Sequence, residues 1–500
     1  MEKTKLNVTP TGKKAIYYHT NWSGYARNFQ VKDIPKDVMD IAYAFWNVLP
    51  NGDIVSGDPW ADYDKRFTAG DGVVPADSWN DPEGSIYGNF GQFKKLMDSG
   101  TKMNVNLSLG GWTWSKNFSP AMSTEATRNN LINNIINTFR KYPIFTGVSI
   151  DWEYVSNDGV NHGLEGNIVS PQDSANFILF LKALRQRFKN ENIGHYIISM
   201  CCVAATDKAK FDVENTHPFI DELHIMTYDF HDGAWGETKA CHQTNPRRSS
   251  HGTFSCEEAA DYYISRGVPS TKCYIGAAFY SRGFSNTGGL GQSASGGSSD
   301  MSWDKGSVDY KALPLPGATE FFDNEAKAAY SYDPVKRIFN SYDNVESIKE
   351  KCRIIFEKNL GGIIIWENSA DRPLNSPRSL VAALRDNLTH SRIGGVIVTP
   401  PKPTPVPVPI PPKPTPVPIV TPPKPTPVPV PTPTPLPTPV PVPTPVPVPT
   451  PIPGPPIVPP FVVDVPDNLY VPGKNPFNLK SMKVSLDIDF ETGKITGQLS

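Results

Sequence analysis

The chain has 500 residues and a net charge of −2, which argues against nucleic acid as its main partner. Proline occurs 52 times, about twice the usual share, but 32 of these prolines lie between residues 400 and 460, so the composition excludes a chain that is disordered throughout. No run of about 18 or more apolar residues occurs, so we expect no membrane span.

From residue 13 to about residue 395, short apolar runs alternate with longer segments of helical periodicity. Short β-rich runs separated by helix-length stretches are typical of parallel strands joined by crossover helices. Eight such units predict an α/β fold, the closed (β/α)8 TIM barrel. The predicted strands lie at residues 15–18, 41–46, 103–108, 146–151, 196–200, 222–226, 273–278 and 362–366.

One connection, between the seventh and eighth predicted strands, is too long for a simple crossover, with about 85 residues. A Gly/Ser-rich loop at 286–299 begins it, and aromatic and acidic residues follow. This pattern predicts a small α+β insertion at about 286–340, between strand 7 and helix 7. We expect it on the rim where active sites of such barrels lie.

Residues 396–460 are rich in Pro, Thr and Val and predict a disordered, semi-rigid linker of polyproline II character. Fully extended at about 3.1 Å per residue, its proline-rich repeat at 400–460 would span roughly 190 Å. A proline-rich ligand for a partner domain is the alternative. Residues 461–500 regain ordinary composition, and two alternating runs predict a short β-rich segment. It is either the start of a further module or a tag that docks or oligomerises.

The fourth predicted strand ends with two carboxylates, in Ser149-Ile150-Asp151-Trp152-Glu153. Residues two apart on a strand share a face, so Ser149, Asp151 and Glu153 should point together toward the barrel mouth. Repulsion and partial burial would raise one pKa of such a pair, as a general acid requires near neutral pH. The alternative is an ordinary solvated strand end.

Other strand ends carry glycines, aromatic rings and carboxylates. Two glycines come directly before Trp112. Tyr228 and Asp229 follow the sixth predicted strand, and Trp366 ends the eighth. Paired glycines allow backbone to approach a ligand closely. Aromatic faces stack on sugar rings while carboxylates bind their hydroxyls, so this collection predicts a site for a sugar polymer.

Five segments at these strand ends resemble the motifs of glycoside hydrolase family 18, the chitinase family: residues 18–27, 107–120, 149–154, 226–235 and 361–367. The resemblance covers about residues 13–395. It implies an eightfold barrel that carries an inserted subdomain after strand seven.

The resemblance also implies a role for each matching residue. Glu153 is the expected acid, while Asp151 and Tyr228 are expected to orient and stabilise the substrate's N-acetyl group. It implies a substrate-assisted mechanism with net retention, which needs no metal and no cofactor. The remaining residues implied to bind substrate are Trp366, Trp112, Met226, Asp229, Tyr18, Trp235, Tyr280 and Arg282.

Two positions depart from the family pattern Asp-Gly-x-Asp-x-Asp-x-Glu. Thr146 replaces its first Asp and is interpreted as structural, whereas Ser149 replaces its second. The resemblance implies that an Asp at residue 149 would bond Asp151 and tune its protonation. A serine could still bond Asp151 but adds no charge, so the pH optimum is open.

The function predicted from the sequence is a chitinase that cuts β-1,4 linkages between N-acetylglucosamine units. Two alternatives use the same barrel. One is a catalytically inactive chitin-binding lectin, against which Glu153 argues. The other is an endo-β-N-acetylglucosaminidase that acts on N-glycans. A purely structural role is the remaining hypothesis. Whether cutting is internal or from a chain end is not determined.

The expected partner is chitin or a chito-oligosaccharide bound by a monomer, without nucleic acid or membrane. No secretory signal is visible at the N-terminus. Release by lysis, export by a non-Sec route and a missing N-terminal segment all stay open for localisation. The long Pro/Thr/Val linker without a visible signal resembles chitinases encoded by large algal viruses. The six cysteines fit no zinc pattern and are expected to be buried thiols, with Cys241 and Cys256 as the pair to bridge under oxidising conditions.

Overall fold

The structure is a computed structural model that describes residues 7–191, 196–298, 302–303, 306–390, 484–489 and 494–499. The chain divides into two units, Met1–Pro407 and Val408–Ser500. The linker predicted at 396–460 lies outside the described residues, and its disorder stays a prediction.

The structure describes thirteen strands in the first unit, which are numbered in chain order. They are β1 (Lys14–Thr20), β2 (Asp40–Val48), β3 (Ile54–Ser56), β4 (Asn104–Gly110), β5 (Gly147–Asp151), β6 (Ile197–Val203), β7 (Glu222–Met226), β8 (Cys273–Ala278), β9 (Arg282–Phe284), β10 (Thr319–Asp323), β11 (Ala328–Asp333), β12 (Ile338–Tyr342) and β13 (Gly362–Trp366).

Eight of these strands close into a parallel barrel, in the order β1-β13-β8-β7-β6-β5-β4-β2, with β2 pairing back to β1. They are the eight strands predicted from the sequence, so the TIM barrel is confirmed. Strand β3 was not predicted from the sequence. It pairs antiparallel with the C-terminal end of β2.

Eight α-helices are described, most of them on the crossover connections. They are α1 (Gly88–Asp98), α2 (Phe118–Ser123), α3 (Glu125–Lys141), α4 (Asp173–Asn190), α5 (Val213–Thr216), α6 (Cys256–Ser265), α7 (Val345–Glu357) and α8 (Leu380–Leu384). Short 3-10 turns replace a longer helix between β1 and β2.

The main core lies between the barrel and its helices. Every residue of β4 and β5 is buried, because parallel barrel strands face helices on one side and the barrel interior on the other. Helix α3 shows the matching pattern, with Leu131, Ile135 and Phe139 buried at helical spacing. Thr124 caps this helix by accepting the backbone N–H of Thr127 at 3.2 Å.

The long connection after β8 contains an antiparallel sheet in the order β10-β11-β12-β9. Strand β9 begins at Arg282, only four residues after β8 ends, and Gly283 pairs with Asn340 on β12. The described helical content between β9 and β12 is the 3-10 turn Tyr310–Ala312. The sheet therefore starts earlier than the Gly/Ser-rich loop suggested.

The second unit contains an antiparallel pair of strands, β14 (Val484–Asp489) and β15 (Lys494–Leu499). These strands fall in the two alternating runs noted in the sequence. Whether they belong to a larger module or act as a tag stays open.

Two whole-chain expectations concern membranes and thiols. None of the helices in the described part of the chain is both long and apolar enough to cross a bilayer. All six cysteines lie within the described residues, where they are buried and free. The Cys256 thiol donates to the carbonyls of Thr227 and Thr244 rather than bridging to Cys241.

Candidate active site

The carboxyl ends of the parallel strands bring the predicted site residues to one rim of the barrel. Asp151 ends β5, Met226 ends β7 and Trp366 ends β13. Residues at this end of a parallel barrel face a common mouth. The topology therefore assembles residues that are more than 200 positions apart in the sequence.

Asp151 and Glu153 form a buried pair at the end of β5, with 4% and 8% of their surfaces exposed. Burial raises the pKa of Asp151 to about 7. Burial, together with the negative charges of Asp151 and Asp229, raises the pKa of Glu153 well above its usual range. The pair therefore holds a proton near neutral pH, and Glu153 is the stronger candidate for the residue that carries this proton.

The backbone around Glu153 is held on both sides, which fixes where its side chain begins. The Glu153 N–H donates to Ser115 Oγ at 2.8 Å, and the Glu153 carbonyl accepts from Asn167 Nδ2 at 3.0 Å. Ser115 in turn donates to the Gly111 carbonyl at 2.9 Å. These contacts fix the main chain, while the Tyr154 side chain acts on the Glu153 carboxyl group and lowers its pKa against the effect of burial.

Ser149 lies beneath Asp151 on the same face of β5, but it does not bond Asp151. Among the described residues, neither the Ser149 hydroxyl nor Asp151 Oδ1 has a hydrogen-bond partner. A serine could have bonded Asp151 from this position, but the structure shows no such bond. A side-chain hydrogen bond with Cys201 acts on Asp151 instead and lowers its pKa against the effect of burial.

Tyr228 and Asp229 follow β7, which ends at Met226. The Tyr228 ring packs on the backbone of Gly276, where a Cβ atom would approach the ring to 2.7 Å. Burial raises the pKa of Tyr228 well above its usual range, so its hydroxyl keeps its proton. The negative charge of Asp151 acts in the same direction, which places the phenol near that carboxylate.

Asp229 is held by two of the predicted binding residues. The Tyr280 hydroxyl donates to Asp229 Oδ1 at 2.6 Å, and Arg282 donates through Nε at 2.7 Å and Nη2 at 3.0 Å. Arg282 also lies 3.3 Å from Asp232, which is fully buried. This network ties β9 of the inserted sheet to the rim of the barrel.

Trp366 forms the aromatic floor of the mouth. Its ring stacks on Phe45 with centroids 5.6 Å apart and planes 20° apart. Tyr18 lies underneath at 5.6 Å from Trp366 and is only 1% exposed. The structure therefore places Tyr18 below the floor, where it supports the site, rather than on the surface that binds substrate.

Two predicted binding residues lie on the outer rim. Trp112 and Trp235 have 48% and 54% of their surfaces exposed. The Arg282 guanidinium covers one face of Trp235 at 5.2 Å from the ring centroid, which links Trp235 to the Asp229 network. Their open faces suit stacking on sugar rings beyond the central subsite.

Sequence reasoning missed several residues of this site, among them Phe45, Tyr154, Cys201 and Asp232. The pairing of Ser149 with Ser199 brings Asp151 level with Cys201, and this register is seen in the structure rather than in the sequence pattern. Nothing in the sequence signalled Asp232 as the second anion of Arg282. No cluster of three or more His, Cys, Asp or Glu side chains in the described ranges is placed to hold a metal.

Comparison with known proteins points to one family. The sequence model of the family described as glycosyl hydrolases family 18 matches residues 14–371. Endochitinase 1 of Metarhizium robertsii is 35% identical over 395 residues, covering 76% of this chain and 87% of that protein. Chitinase 1 of Aphanocladium album is 34% identical over 368 residues, covering 72% of this chain and 81% of that protein.

A solved structure gives the same result at the level of fold. The catalytic domain of psychrophilic chitinase B from Arthrobacter superposes with a TM-score of 0.69 at 29% identity. The match covers 79% of this chain and 100% of that domain.

Proposed function

The chain belongs to family 18 of the glycosyl hydrolases, and from that premise we propose that it is a chitinase which cuts β-1,4 bonds between N-acetylglucosamine units. The observation that carries this proposal is the pair Asp151 and Glu153, buried together at the mouth of the barrel. The curated relatives named endochitinase and chitinase support the choice of substrate.

In the proposed first step, Glu153 protonates the glycosidic oxygen as the bond to the leaving sugar breaks. The carbonyl oxygen of the substrate's own N-acetyl group attacks the anomeric carbon and forms a cyclic oxazolinium ion. The raised pKa of Glu153 supports this role, since the acid must still hold its proton near neutral pH.

Asp151 and Tyr228 stabilise the cyclic intermediate. The Asp151 carboxylate orients the N-acetyl N–H and balances the positive charge that develops on the ring. Tyr228 donates to the N-acetyl oxygen, a role that requires a protonated phenol and agrees with its raised pKa. Water activated by Glu153 then opens the ring, and the two inversions give net retention.

The sugar beside the cut stacks on Trp366, whose ring is backed by Phe45. Asp229 borders the same subsite, with its carboxylate already fixed by Tyr280 and Arg282. A pre-formed floor and wall limit the loss of side-chain freedom on binding. We propose that one copy of the chain binds chitin or a chito-oligosaccharide in this way.

Incubation of the full chain with soluble chitin oligosaccharides, from about pH 3 to about pH 9, tests the proposal. Mass spectrometry reads the products, and proton NMR within the first minutes reads the anomeric form of the new reducing end. We expect shorter oligosaccharides that first carry the β-anomer. An absence of products at every pH would exclude hydrolysis of chitin, and an initial α-anomer would exclude the retaining mechanism.

A further inference from the structure

A line of buried polar side chains continues from Asp151 into the barrel interior. Cys201 on β6 lies level with Asp151 on β5, as the pairing of Ser149 with Ser199 requires. The Cys201 thiol acts on the Asp151 carboxyl group and lowers its pKa against the effect of burial. Cys201 is 2% exposed, so its thiol has no access to solvent.

Tyr18 joins Cys201 to His224. Its hydroxyl oxygen lies 3.0 Å from Cys201 Sγ and 3.1 Å from His224 Nδ1. His224 is fully buried in the barrel. A thiol, a phenol and an imidazole can each donate and accept a proton, and here they are connected in series. The substrate-assisted mechanism assigns no role to Cys201 or His224.

The far end of this line is a fixed negative charge. His224 Nε2 lies 3.2 Å from Glu222 Oε2, and Lys14 Nζ donates to Glu222 Oε1 at 2.6 Å. Burial alone would raise the pKa of Glu222, but Lys14 and His224 together lower it to about 2. Glu222 is therefore a carboxylate that only accepts hydrogen bonds, so the Nε2–H of His224 donates to it.

With Nε2–H committed to Glu222, the Nδ1 atom of His224 determines the direction of every hydrogen bond above it. In the neutral ring, Nδ1 accepts from Tyr18, Tyr18 accepts from the Cys201 thiol, and Cys201 Sγ accepts from protonated Asp151. In the charged ring, each of these bonds is reversed, and the Cys201 thiol donates to the Asp151 carboxylate.

We propose that Cys201, Tyr18 and His224 form a proton relay that moves one proton between Asp151 and the barrel interior; this inference rests on the proposed function. Asp151 gives its proton to Cys201 Sγ, the thiol proton passes to the Tyr18 oxygen, and the phenol proton passes to His224 Nδ1. Three bonds to hydrogen break and three form, so total charge is unchanged. The relay delivers the Asp151 carboxylate that the oxazolinium ion needs.

Three side chains face His224 from the strands around it. Tyr18 faces it from β1, the Tyr274 ring from β8 with centroids 5.7 Å apart, and Glu222 from β7. Lys14 pairs with Glu222 from behind and lies 3.7 Å from Asp40. Glu222 is thus the charged group in direct contact with the imidazole ring.

The replacements Cys201→Ala and Cys201→Ser test the relay in the full chain, with Cys202→Ala as the matched control. Cys202 is also buried on β6, but it lies on the opposite face of the strand. Alanine removes the donor to the Asp151 carboxylate, so the acid side of the kcat profile on chitin tetramer should move to higher pH by about half to one pH unit. Serine and the Cys202 control should keep the wild-type profile.

A second measurement needs no turnover. We expect the ring nitrogen resonances of His224, assigned with His224→Gln, to respond to the titration of Asp151 in the wild type. This response should vanish in Asp151→Asn and Cys201→Ala. If Cys201→Ala does not fold, Cys201→Val replaces it.

Identical His224 responses in the wild type and in the alanine or valine variant, together with unchanged pH profiles, would overturn the relay. Failure of the proposed function is a separate outcome, because a wild-type chain without turnover still gives the resonance measurement. In that case the response of His224 to Asp151→Asn decides for or against the relay.

Discussion

At the scale of single residues, burial controls the chemistry of Asp151 and Glu153. A carboxylate pair at a solvent-exposed strand end would carry two negative charges near neutral pH. Removal from water raises the pKa of both groups here, and the charge of Asp151 raises that of Glu153 further. Ser149 contributes no charge and no hydrogen bond to this balance within the described residues.

Replacement of Ser149 by alanine should therefore have little effect. Its buried hydroxyl makes no hydrogen bond with another described residue, so its loss should change the free energy of unfolding by less than about 1 kcal/mol. The pH profile of kcat should stay that of the wild type. Ser115→Ala is the matched control and should lower kcat, because Ser115 accepts the Glu153 N–H. A Ser149→Ala profile displaced by a full pH unit would contradict this account.

The raised pKa of Asp151 also predicts a pH-dependent cost to stability. Its pKa is about 7 in the folded chain against 3.8 in the unfolded chain, so the folded state binds more protons between these values. The contribution of Asp151 to stability is then lost as pH rises from about 4 to about 7.

Asp151→Asn removes this titration. The unfolding free energy of the variant minus that of the wild type should be larger at pH 8 than at pH 4, by on the order of 2–4 kcal/mol. Urea unfolding of both proteins at the two pH values measures the difference. The same difference between variant and wild type at both pH values would show that burial does not raise the pKa of Asp151.

At the scale of secondary structure, periodicity predicted the eight barrel strands and the face that carries Asp151 and Glu153. Periodicity did not predict which face of β2 carries Phe45. The pairing of β2 with β4 shifts register between Tyr43 and Trp46, and Phe45 within this stretch stacks on Trp366. A local bulge breaks the two-residue alternation on which such predictions rest. The start of β9 was missed for another reason, since a three-residue strand has too little pattern of its own.

Gly276 on β8 can be tested for its part in positioning Tyr228. Gly276 leaves room for Tyr228, and a Cβ atom there would meet the ring at 2.7 Å and the Thr227 nitrogen at 3.0 Å. Gly276→Ala should displace Tyr228 and lower kcat on chitin tetramer by about tenfold or more. Gly288→Ala should leave kcat unchanged, because a Cβ atom there meets Gln292 at an ordinary 3.5 Å. Full activity of Gly276→Ala would mean that the phenol need not keep this position.

At the scale of the whole molecule, the barrel and its inserted sheet contain every residue that we assign to catalysis or binding. The domain boundaries remain predictions: a catalytic barrel at 13–395, a linker at 396–460 and a β-rich segment at 461–500. A proline-rich spacer adds reach without adding chemistry, which suits an enzyme held near an insoluble polymer.

A chain that ends at residue 395 should therefore retain kcat/KM on soluble chitin tetramer within about twofold of the full chain. Steady-state kinetics of both chains on the same tetramer preparation give the comparison, with thermal unfolding as the control for an intact barrel. A tenfold loss in a folded, truncated chain would show that the region after residue 395 contributes to the site.

The turnover of Glu153→Gln on chitin tetramer tests the central claim most directly. Glutamine keeps the shape of the side chain but cannot donate the proton, so kcat should fall by about a thousandfold or more. Binding of the tetramer, followed through tryptophan fluorescence, should change by no more than about threefold. A Glu153→Gln variant that retains the wild-type rate would contradict the assignment of Glu153 as the general acid.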